Sequence, residues 1–141
     1  MDEDDQRLLS LLRENARAPA AALARALGVS RTTTQSRIAR LERQKVITGY
    51  TVRTSEAHKR GEIRALVMIT VAPKQSAAVE AAIRRMPQVR ALHSVSGPSD
   101  MIAEAAAPSA AEMDRLIDAI GLLDGVERTT SSVVLSTRID R

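Results

Sequence analysis

Apolar residues recur at three- and four-residue spacing through the first third of the chain. Leu8, Leu9, Leu11 and Leu12 form a broad stripe on a helix predicted to reach about Asn15. Asp2, Glu3, Asp4 and Asp5 precede it and complement its positive end. Leu23, Ala24 and Leu27 share one face of a shorter helix. That helix starts near Pro19, whose missing N–H does no harm there, and is closed by Gly28. Ser30 offers a capping oxygen to a third helix, which turns Ile38 and Leu41 inward. Ala24 and Gly28 fall where two closely crossing helices leave little room for a side chain. The pattern predicts a three-helix unit containing a helix-turn-helix. Val46-Ile47-Thr48-Gly49-Tyr50-Thr51-Val52 then predicts a short strand or wing, and the polar stretch Thr54 to Gly61 reads as a linker.

From Ile63 the period changes. Ile63 to Val71 is strand-like and apolar on both faces, Ala65, Val67, Ile69 and Val71 alternating with Leu66 and Met68. A helix carrying Val79, Ala82, Ile83 and Met86 follows, then a strand from Val89 to Ser96, the turn Gly97-Pro98-Ser99-Asp100, and a strand from Met101 to Ala106. Ser109 to Glu112 matches a capping box for a helix with Met113, Leu116, Ile117 and Ile120 inward, and Val126 to Ile139 reads as the last strand. Strand–helix–strand occurs twice, with Pro87-Gln88-Val89 standing where Asp124-Gly125-Val126 stands in the second copy. This predicts a four-stranded antiparallel sheet with both helices on one face, the ferredoxin-like plan. The fold class is therefore α+β: a helix-turn-helix domain at 1–52, a linker at 53–62 and a ferredoxin-like βαββαβ domain at 63–141. The uncovered sheet face predicts a partner surface. A second copy related by a two-fold axis is the expected occupant, the amino-terminal unit folded back being the alternative.

Charge narrows the function. Residues 7 to 60 carry twelve Lys or Arg against Glu14, Glu42 and Glu56, whereas residues 63 to 141 hold nine of each sign. The cationic surplus thus belongs to the helix-turn-helix segment, as a phosphate-contacting surface requires. The third helix leaves Arg31, Thr32, Thr33, Gln35, Ser36, Arg37, Arg40 and Arg43 for its outer face and flanks. Short hydrogen-bonders with arginines suit a DNA major groove, while an ordinary solvated face mixes signs. Ser30, Thr32, Thr33, Gln35 and Ser36 lie nearest the helix start that enters the groove; Arg31, Arg37, Arg40 and Lys45 are the phosphate candidates. Arg37 has an equal alternative as a salt bridge to Glu14 or Glu42.

The chain has no cysteine, and Tyr50 is its only aromatic residue. Disulfides, thiol catalysis and cysteine–zinc sites are excluded, and RNA or single-strand binding by base stacking is disfavoured. No apolar run approaches membrane-spanning length, so a cytoplasmic, nucleoid-associated protein without a membrane partner is expected. His58 and His93 sit in no metal-ligand spacing and no nucleophile–base pair is recognisable, so no catalytic residue, metal or cofactor is expected.

The residues Asp5-Gln6-Arg7-Leu8-Leu9, Leu27-Gly28-Val29-Ser30, Arg37-Ile38-Ala39-Arg40-Leu41-Glu42, Val46-Ile47-Thr48-Gly49-Tyr50, Val95-Ser96-Gly97, Asp100 and Gly125-Val126 with Thr130-Ser131-Ser132 resemble the Lrp/AsnC (feast/famine) regulators in order and spacing. The resemblance covers nearly the whole chain. It implies a transcription factor, dimers that associate further into tetramers or octamers, and a small effector such as an amino acid bound between dimers. It places effector-binding residues at Gly97, Ser99, Asp100 and Met101 and at Thr129, Thr130, Ser131 and Ser132. There Gly97 lets backbone approach a ligand and Asp100 suits an ammonium, the alternative being a hairpin in which Asp100 caps backbone amides. Three positions depart from the family pattern: Thr33 stands where proline is frequent, Lys45 where glycine is usual, and Pro98-Ser99 replaces an acidic and aromatic pair. The competing function is an architectural nucleoid protein that answers to no effector.

Overall fold

Asp2 closes the first helix from both sides. In the computed structural model, which describes residues 1–141, its Oδ1 accepts from the Asp5 amide at 2.8 Å and Asp5 Oδ2 accepts from the Asp2 amide at 3.3 Å. This reciprocal box satisfies two of the donors that a helix start leaves open. Helix α1 spans Glu3–Glu14, α2 Ala20–Leu27 and α3 Arg31–Arg43. Together they form the first of two units, residues 1–53 with 139–141. Its core is Leu8, Leu12, Leu23, Leu27 and Leu41, with Leu9, Leu11, Ile38 and Ile47 packed around it.

Two expectations about this unit change. Gly28 does adopt a left-handed backbone at φ +72°, but a Cβ built there meets nothing within 4 Å. The glycine is therefore needed for its dihedral and not for a close helix crossing, where Ala24 is the buried small residue. The strand expected at 46–52 does not form. The Val46 and Ile47 amides both donate to Leu41 O, at 2.9 and 3.1 Å, which folds the chain back and seats Ile47 against the core. No strand in this unit offers the remaining backbone groups a ladder.

The second unit, residues 54–138, begins inside the expected linker with a one-turn helix, α4 (Glu56–Lys59), capped by Ser55. Its main elements are β1 (Ile63–Val71), α5 (Ser76–Arg84), β2 (Val89–Ser94), β3 (Met101–Ala107), α6 (Ala110–Gly121) and β4 (Val126–Val133). The strands pair antiparallel in the order β2-β3-β1-β4. Ala65, Val67, Ile69 and Val71 of β1, with Met101, Ala103, Ala105 and Ala107 of β3, pack against Val79 and Ile83 of α5 and Met113, Leu116 and Ile120 of α6. Apart from Met101, the buried side chains of β1 and β3 beneath the helices are small or β-branched.

β4 stops well short of Ile139. Its last ladder bond runs from Val134 N to Arg64 O at 2.8 Å, and β1 starts at Ile63, so further residues have no partner to pair with. Leu135 is accordingly exposed. β2 ends at Ser94, where Val95 N donates to Asp100 O at 3.0 Å and the chain enters the 97–100 turn. At Ser109 only half of the expected capping box is present. Ser109 Oγ accepts from the Glu112 amide at 3.2 Å, while the Glu112 carboxylate faces Arg115 instead.

The alternation of β1 leaves Leu66, Met68 and Thr70 on the face away from the helices, where the register adds Ile102, Glu104 and Ala106 of β3 and Ala91 and His93 of β2. His93 Nε2 and Glu104 Oε2 lie 2.7 Å apart on this open face.

Candidate nucleic-acid interface and effector turn

Helix α3 carries the candidate DNA-facing residues, and its buried side is fixed by Thr34, Ile38 and Leu41. Thr34 is fully buried, and its hydroxyl donates to Ser30 O at 3.1 Å. The helical period then sets Thr32, Ser36, Ala39 and Arg43 along the opposite side, with Gln35 beside them. Gln35, Ser36 and Thr32 are exposed and their polar groups are unengaged. Ala39 was not singled out by sequence reasoning, because an alanine carries no polar signal; only the position of the buried side places it in this stripe.

Ser30 and Thr33 are partly committed to the helix start. Ser30 Oγ accepts from the Thr33 amide at 3.0 Å and donates to Thr33 Oγ1 at 2.8 Å. Thr33 therefore completes the cap.

The basic candidates divide into two groups. Arg31, Arg43 and Lys45 are exposed and have no ion-pair partner. Arg37 and Arg40 are held. Arg37 Nη1 donates to both Asp2 oxygens at 3.0 and 2.9 Å and to Asp5 Oδ1 at 3.0 Å. Arg40 Nη2 reaches the same Asp5 oxygen. The salt-bridge alternative for Arg37 thus names the wrong acids: its partners are Asp2, Asp5 and, at 3.7 Å, Asp4, not Glu14 or Glu42. Asp5 is 2% exposed, and two guanidinium groups compensate its buried charge. The Arg37 guanidinium titrates above its ordinary range through Asp2 first and Asp5 second. The Asp2 carboxyl lies below its ordinary range through the Asp5 amide first and Arg37 second.

Lys45 has φ +59°, a left-handed conformation that favours glycine. Beyond it, Tyr50 Oη donates to Glu42 Oε2 at 3.3 Å, and burial followed by the Glu42 charge raises the Tyr50 pKa.

In the second unit, the turn at 97–100 is tied to the end of β1. Asp100 Oδ2 accepts from Val71 N at 2.7 Å, and Asp100 N donates to Ile69 O at 2.9 Å. This is the backbone-capping geometry, with Oδ1 left unengaged. Gly97 sits at φ +119° with open space around its Cα, and Met101 is buried beneath the helices. Thr129 pairs with Ile69 and its Oγ1 lies toward Gly121 of α6, whereas Thr130 and Ser132 pair with Met68 and Leu66 on the open-face register. The 97–100 turn and Thr129 thus meet at the Ile69–Val71 end of β1, while Thr130 to Ser132 run back along the middle of that strand. An open groove of about 490 Å³ lies elsewhere, between the end of α5 and α6.

Comparison with known proteins matches both halves. Residues 1–42 fit the AsnC-type helix-turn-helix domain and residues 64–141 the Lrp/AsnC ligand binding domain. The transcriptional regulator LysM of Saccharolobus solfataricus is 31% identical over 97% of this chain and 95% of its own length. The leucine response regulatory protein LrpA of Mycobacterium tuberculosis superposes with a TM-score of 0.82 at 30% identity, covering 99% of this chain and 96% of that one. A transcriptional regulator of Neisseria meningitidis, solved as its complex with L-Met, has the same fold, with a TM-score of 0.86 at 22% identity over 99% of this chain and 93% of that one. With both halves matched in order over most of its length, the chain belongs to the Lrp/AsnC family of helix-turn-helix transcriptional regulators.

Proposed function

We propose that this regulator reads duplex DNA sequence-specifically through the Thr32, Gln35, Ser36 and Ala39 stripe of α3, with Arg31, Arg43 and Lys45 on flanking phosphates. The observation that carries the reading is the contrast on α3: a stripe of unengaged hydroxyl and amide groups bordered by cations that have no acid to neutralise them. Gln35 suits adenine and the Ala39 methyl suits a thymine methyl. Hydroxyls discriminate weakly, so DNA shape adds to the preference. A second copy docks on the open sheet face, where Leu66 is exposed and Met68 and Ile102 half-buried, and the resulting two-fold dimer presents two α3 helices to successive turns of DNA. Dimers associate further into tetramers or octamers, and the protein works in the cytoplasm on the nucleoid. A zwitterionic amino acid between dimers is the effector, its ammonium on Asp100 Oδ1 and its carboxylate on amides of the 97–100 turn; the L-Met complex of a structural neighbour supports this class.

One observation favours the effector-independent architectural reading. Asp100 already accepts from Val71 N, and Thr129 to Ser132 alternate between faces. Footprinting on the DNA upstream of the chain's own gene, with and without each amino acid, separates the two. A footprint altered by one amino acid supports the effector; one that none alters supports the architectural protein. Failure to bind any duplex in dilute buffer refutes both.

A further inference from the structure

We propose that Asp2 and Asp5 are positioning residues for DNA recognition, holding Arg37 and Arg40 so that neither arginine contacts phosphate and α3 is fixed on the start of α1. The inference rests on the reading of α3 as the DNA-facing helix and concerns how that helix is aimed.

The contacts and burial of four side chains in the first unit carry it. Asp2 is at once the N-cap of α1 and a two-oxygen partner of Arg37 Nη1, so the cap geometry and the ion pair constrain each other. Asp5 completes the capping box with one oxygen and meets Arg37 and Arg40 with the other. Its side chain is 4% exposed, a depth at which removing a guanidinium leaves a carboxylate without water to replace it. The Arg37 side chain is itself only 19% exposed and its Nε is buried without a partner, so the group is packed rather than reaching outward. Arg37 lies on the flank that faces α1, and Arg40, one turn beyond Ser36, is drawn to the same Asp5 oxygen. Helix α3 is thus pinned by apolar packing at Thr34, Ile38 and Leu41 and by four charged groups at one edge. A base-reading helix gains from such pinning, because directional contacts to base edges require a fixed angle of approach.

The charges make the test a matter of sign. Asp2→Asn removes a negative charge, which by electrostatics alone tightens DNA binding. The positioning role predicts the reverse. Binding of the full chain is measured by fluorescence anisotropy at several salt concentrations. The probes are a fluorescein-labelled duplex selected from a random pool on the wild type and a scrambled duplex of the same composition. Asp2→Asn and Arg37→Gln are each expected to weaken binding to the selected duplex by about threefold or more, to change scrambled-duplex binding less, and to leave the salt slope unaltered. The double variant is expected to lose less than the sum of the two single losses, since both remove the Asp2–Arg37 contact. Arg31→Gln, the comparison on a proposed phosphate contact, is expected to lower the slope by about one. Tighter binding by Asp2→Asn, or a slope lowered by about one in Arg37→Gln, makes Arg37 a phosphate contact and overturns the proposal. Unchanged affinity and specificity in Asp2→Asn overturn it equally. Thermal melts confirm that each variant is folded; Asp2, 57% exposed, is chosen over buried Asp5 for this reason. A wild type that binds neither duplex refutes the DNA-facing reading of α3 itself, a different result from any of these.

Discussion

Two glycines of the second unit separate the cost of backbone conformation from the cost of space. Gly97 has φ +119° and Gly125 φ +95°, both in the region that L side chains avoid. An alanine at either site pays for that conformation, about 1–3 kcal/mol. At Gly97 an added Cβ meets nothing within 4 Å, so nothing further is lost. At Gly125 it would stand 2.7 Å from Gln75 Cβ and 3.1 Å from Val79 Cγ2. Gln75 is the residue before α5, and Val79, on the inner face of that helix, is fully buried. The Gly125 carbonyl accepts from Ala72 N at 2.7 Å, which limits how far the turn can retreat. Overpacking of this kind adds about 1–3 kcal/mol. Urea denaturation of the full chain and both alanine variants, followed by circular dichroism, gives the two losses. The expected result is a Gly125→Ala loss greater than the Gly97→Ala loss by that steric amount, with unchanged m-values. Equal losses refute the reasoning, since the contact at Gly125 would then have been relieved at no cost.

Lys45→Gly relieves the left-handed strain at φ +59° and is expected to stabilise the first unit by about 1 kcal/mol relative to Lys45→Ala, read from denaturant midpoints. If Lys45 contacts phosphate, both variants also lower the salt slope of DNA binding by about one. Tyr50 is the only aromatic residue, so absorbance at 295 nm reports one phenol; its midpoint is expected above 10.0, moving down in Glu42→Gln. Because the folded pKa is raised above the unfolded one, the folded state is penalised as pH climbs past the unfolded value, and stability falls there. Leu8→Ala or Leu41→Ala, each at a fully buried position of a five-leucine core, is expected to cost about 2–5 kcal/mol in thermal or urea melts.

What the sequence determined by itself is what depends on local period and on end chemistry. Leucine spacing marked three helices, and the change to alternation at Ile63 marked the sheet. Gly28 and Ser30 marked the turn between α2 and α3, because a left-handed dihedral and a capping oxygen are needs of the backbone at that point. The tertiary structure decided whatever depends on a distant partner. Whether Val46 to Val52 became a strand, and where β4 stopped, turned on the presence of a neighbouring strand. Which acids Arg37 meets turned on the packing of α1 beside α3, thirty-odd residues apart in the chain. That the Asp100 carboxylate meets the Val71 amide, 2.7 Å away, turned on where β1 ends. A side chain's type states what it is able to bind; only the folded chain states which partner reaches it first.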